Sequence, residues 1–127
     1  MGYATLVEQE IKDVPKLIDQ LKRDNFDVKA AFWYYRSEAD KWYLYLVSDA
    51  VHQKNGIFES YMVVNQTIRR MTDLEIDPSQ VTLVAPDNPI AKAIMDFQSG
   101  QHVRPMKRIW GMRLGDVHIE SAYLYYL

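Results

Sequence analysis

Residues 28–47 read VKAAFWYYRSEADKWYLYLV, and this stretch decides the fold. Two apolar, aromatic runs flank the polar break Ser37-Glu38-Ala39-Asp40. Such runs around a four-residue break are the pattern of a β-hairpin. With that loop, Arg36 faces Lys41 and the remaining register follows. One face then carries Ala31, Trp33, Tyr35, Trp42, Leu44 and Leu46, and the other Ala30, Phe32, Tyr34, Tyr43, Tyr45 and Val47. Away from the loop, neither face holds a charge. A hairpin with one wet face alternates apolar with polar residues, so this one is expected to be central, with packing on both sides. The tyrosine face is the wetter of the two, because a buried hydroxyl requires a partner. Tyr34, Tyr43 and Tyr45 are therefore candidate binding residues.

Upstream, Val7, Ile11, Val14, Ile18 and Leu21 recur at spacings of 4, 3, 4 and 3, with charges between them. That is one face of an amphipathic helix. Pro15 falls inside it and is expected to kink the helix, or to begin a new one with Asp13 as its cap. Downstream of the hairpin, Ile57, Tyr61, Val64, Ile68 and Met71 repeat the same spacing and predict a second helix ending near Thr72. Gln80–Ala85 reads as a short buried strand. Asn88-Pro89 is a helix start signal, followed by Ile90, Ala93, Ile94 and Phe97 and ended by Gly100.

Met106–Leu114 and Val117–Tyr126 predict two strands joined at Gly115-Asp116, with Leu114 facing Val117. Strict alternation would put Trp110, Met112, Leu114, Val117 and Ile119 on a face that is core-like near the turn. Ile109, Arg113, His118, Glu120, Ala122 and Leu124 would share a mixed face that meets water. The element order is thus α-β-β-α-β-α-β-β, predicting a single α+β domain over residues 1–127. Its sheet is expected to be mixed and roughly five-stranded, with helices packed on it.

Composition narrows the function classes. The net charge of −2 gives no global attraction to nucleic acid or an anionic membrane. The chain has no cysteine, which excludes disulfides, thiolate catalysis and Cys-ligated metals. No apolar run approaches the roughly 20 residues that span a bilayer. A cytoplasmic protein without membrane contact is the expectation.

Signatures of chemistry are missing. The five glycines form no phosphate loop, and His52, His102 and His118 have no metal-ligand spacing. There is no nucleophile elbow. Glu10-Ile11-Lys12 has an ExK spacing but lies in a predicted helix, where paired carboxylates for a metal-dependent nuclease would not meet. Arg104, Lys107, Arg108 and Arg113 make residues 101–113 basic, yet sheet alternation divides them between two faces. Arg113 opposite His118, with Glu120 diagonal, is the densest titratable group in the predicted register. These residues and Lys107 join the tyrosines as candidate binding residues. No catalytic residue, metal site or cofactor is expected. The sequence thus favours a non-enzymatic accessory or interaction module that binds a protein partner or forms a homodimer. The alternative is a nucleic-acid-acting protein, either a binder or a nuclease-like domain.

Overall fold

A computed structural model describes residues 6, 8–100 and 105–127. Val7, His102 and Arg104 lie outside the described residues. The elements are α1 (Glu8–Arg23), β1 (Ala30–Arg36), β2 (Lys41–Val47), α2 (Gly56–Arg70), β3 (Val81–Val84), α3 (Pro89–Ser99), β4 (Arg108–Leu114) and β5 (Val117–Leu124). Two short 3-10 turns, Asp49–His52 and Pro78–Gln80, precede α2 and β3. The expected α+β order is the observed one.

The five strands form one mixed sheet in the order β3-β2-β1-β5-β4. β1 is central and antiparallel to both β2 and β5, while β3 runs parallel to β2 after the α2 crossover. The hairpin register is the predicted one, from Arg36↔Lys41 to Ala30↔Val47. Both of its faces are covered. Ala31, Trp33, Tyr35, Trp42, Leu44 and Leu46 enter a core with Val14, Leu17, Ile18 and Leu21 of α1 and Val64 and Ile68 of α2. Phe32, Tyr45 and Val47 enter a second core with Ala91 and Ile94 of α3. The uncharged faces of β1 and β2 follow from this: a strand sandwiched between helices has no wet side to mark with polar residues.

Pro15 neither ends nor restarts α1, which runs through it. Its ring removes the amide donor that the Ile11 carbonyl would otherwise receive. The Tyr125 hydroxyl replaces it, donating to the Ile11 carbonyl at 2.7 Å while accepting from Trp33 Nε1 at 3.0 Å. Burial pushes the Tyr125 phenol well above its ordinary value. The proline defect in the helix thus becomes a pin between α1 and the sheet. Asp13 caps no helix. Its fully buried carboxylate accepts from the Glu75 backbone N–H at 2.6 Å and Gln9 Nε2 at 2.8 Å, tying α1 to the loop before β3.

The last hairpin keeps its predicted register, Leu114↔Val117 and Arg113↔His118, but not strict alternation. Ile109 is buried and Met112, three positions later, packs against the same core; Ile119 and Ala122 are likewise three apart and both fully buried. The inward face therefore changes parity at the level of Gly111 and Glu120, which are missing from the ladder. Gly111 has φ +60°, a conformation costly for residues bearing a Cβ. Ile109, Ala122 and Leu124, expected on a face meeting water, are core residues for this reason.

Candidate interaction surface

The sequence-predicted residues separate into three places. Tyr34, Tyr43 and Tyr45 stay together beneath and beside α3. Tyr45 is 5% exposed, its ring stacked on Phe32 at 5.1 Å, and burial raises its phenol pKa. Tyr34 and Tyr43 are half-buried, with the Arg36 guanidinium 4.9 Å above the Tyr43 ring. Burial also raises the Tyr34 phenol, with Tyr45 and Glu38 adding to the effect. Arg113 and His118 are exposed and opposed beside the β4–β5 turn. There Arg113 Nε donates to the Gly115 carbonyl at 3.2 Å. Arg113 also lines an open groove of ≈ 610 Å³ against α3, which neither His118 nor Glu120 enters.

The basic stretch is dispersed. Lys107 lines a cleft of ≈ 400 Å³ with Ile11, Pro15 and Tyr123. Arg108 lies over the Trp42 ring at 5.4 Å. Arg113 belongs to the α3 groove. Among the described residues, no three histidine or acidic side chains gather as a metal site would require, and no helix is long and apolar enough to cross a membrane.

Both sheet edges are blunted against further strands. On β3, the Leu83 N–H is taken by the Tyr61 hydroxyl at 2.9 Å. On β4, the Gly111 conformation interrupts the ladder and Arg108 and Arg113 flank it. Trp110, expected on the core-like face, is instead 67% exposed on this same edge strand, because Ile109 and not Trp110 faces inward before the parity change at Gly111.

A helix also carries apolar surface that sequence reasoning missed. Of the stripe its periodicity announces, α2 buries Val64 and Ile68, with Ser60 and Thr67 beside them; Tyr61 and Met71 are half-buried, and Ile57, in the first turn, is exposed. Yet Phe58 is 66%, Met62 45% and Ile57 43% exposed. Phe58, Met62, Asn65 and Arg69 follow at spacings of 4, 3 and 4, so they form a second line along the helix, beside the first. The Asn65 Oδ1 in this line is buried and has no hydrogen-bond donor. The first turn of α2 packs closely on the 3-10 turn before it. A Cβ at Gly56 would lie 2.0 Å from the Ala50 carbonyl, so only glycine lets the helix press onto the preceding 3-10 turn. Ser48 caps that turn, accepting from Ala50 N at 3.2 Å. A signal for the second line was present in the sequence: apolar residues at 58 and 62, on the face that an amphipathic helix usually gives to charge.

The chain matches no protein-family model, no curated protein and no solved structure.

Proposed function

We propose that this protein is a non-enzymatic interaction module that binds another protein chain through the outer face of α2. The observation that carries the reading is the Phe58–Met62 line, exposed on a helix whose first turn packs closely on the 3-10 turn before it. Aromatic residues and methionine are enriched where proteins meet, and contiguous apolar surface is costly to leave in water. The half-buried Tyr34 and Tyr43 lie beside α3, where they complete the second core. They support the contact reading less than Phe58 does.

The test is site-specific photocrosslinking in cells. A photoreactive side chain is placed at position 58 and, as a control, at position 19 on the outer face of α1. The reading expects one defined adduct from position 58 and none from position 19. Equal, diffuse labelling from both positions would refute it.

A further inference from the structure

We infer that the occupant of the α2 surface is a second copy of this chain, docked with the two α2 helices antiparallel about a two-fold axis. This rests on the interaction reading above and specifies its partner. The argument is one of charge and register. The line Phe58, Met62, Asn65, Arg69 has the 4-3-4 spacing of a helix-pairing seam. Glu59 flanks its first turn and Arg69 closes its last. Among the described residues, neither makes an ion pair within its own chain. A patch acidic at one end and basic at the other complements itself when turned end for end, as a two-fold interface demands.

In that arrangement Phe58 packs against Arg69 of the partner subunit, and Met62 packs against Asn65 of the partner subunit. Each contact occurs twice. The guanidinium covers an aromatic ring, as Arg36 covers Tyr43 and Arg108 covers Trp42 within the chain. Glu59 lies alongside that same arginine, and the two helix dipoles oppose one another. A parallel pair would instead set Glu59 beside Glu59 and Arg69 beside Arg69. An acidic or basic partner would gain at one end of the line and lose at the other. The helix is about 22 Å long at 1.5 Å per residue. One helix pair falls short of the roughly 800 Å² per partner of a standard interface. The dimer is accordingly weak, forming at micromolar rather than nanomolar concentrations.

Sedimentation equilibrium of the purified full chain tests this, with circular dichroism confirming that each variant is folded. The wild type should show a concentration-dependent monomer–dimer equilibrium. Phe58→Lys should weaken it by on the order of 100-fold or more, since at each end a ring covered by Arg69 of the partner subunit is replaced by a like charge. Glu59→Arg should weaken it about 10-fold by setting two arginines together at each end. Adding Arg69→Glu to Glu59→Arg should recover part of that loss. A wild type that stays monomeric throughout, or an association indifferent to Phe58→Lys, would overturn the second-copy inference. A double variant no better than Glu59→Arg alone would overturn the antiparallel register. A monomeric purified chain whose position 58 still crosslinks a different protein in cells would end this inference and leave the interaction reading standing. Monomer with no adduct would end both.

Discussion

The two helices on the α1/α2 face of the sheet are nearly equal in length, 16 and 15 residues, and they bury similar inner stripes. Their outer faces differ. Outside its buried stripe, α1 exposes Glu8, Lys12, Lys16, Asp19, Lys22 and Arg23, and Lys12 pairs with Glu8 at 3.1 Å. α2 exposes Ile57, Phe58 and Met62 among Glu59, Gln66 and Arg69. The same sheet supports both helices, so the sheet does not cause the difference. An outer face of charges is complete in water. An outer face that holds aromatic and thioether groups leaves apolar surface in water. The comparison teaches that the residues a helix turns to the core do not dictate what it leaves on its outer face.

The largest effects should be those that treat the helices alike. Leu17→Ala in α1 and Ile68→Ala in α2 each open a cavity in one shared core, and each should cost about 2–5 kcal/mol. Chemical denaturation measures both. A far smaller cost for Ile68→Ala would mean that α2 contributes less than α1 to the shared core.

A smaller effect should separate them, because only α1 needs a side chain from the sheet to complete its backbone bonding. Tyr125→Phe strands both the Ile11 carbonyl and Trp33 Nε1 and should cost about 1–3 kcal/mol. Restoring a helical donor with Pro15→Ala should make the tyrosine less necessary. The double variant would then lose less than the sum of the two single losses, read by a double-mutant cycle. Strict additivity would show that the hydroxyl does not substitute for the missing amide.

Much of this was legible in the sequence. The β1–β2 register and its covering on both sides follow from two facts about residues 30–47: a four-residue polar break, and no charge away from it. The α3 boundaries follow from Asn88-Pro89 and Gly100. Other features depend on contacts that no local pattern carries. Pro15 marks a defect, but its remedy, Tyr125, lies 110 positions away. Alternation assigned Ile109, Ala122 and Leu124 to a wet face because one glycine, Gly111, reverses the parity. The candidate surface was the hardest to read. Once Ile57, Tyr61, Val64, Ile68 and Met71 had explained why α2 is helical, Phe58 and Met62 drew no attention. Periodicity identifies which residues face the core and is silent on apolar residues that face away. The tyrosines drew attention instead, although Tyr45 is interior.

Two methionines allow a direct test of the contrast. Met62 on α2 is 45% exposed, and Met106, just before β4, is 43% exposed. In an isolated chain their oxidation rates should match, because thioether oxidation follows exposure. Peroxide labelling followed by peptide mass spectrometry reports both rates in one sample. If α2 is covered by a partner, Met62 should oxidise severalfold more slowly than Met106 at high protein concentration or in cells, and the difference should vanish on dilution. Equal rates under every condition would contradict the claim that α2 presents a surface made to be covered.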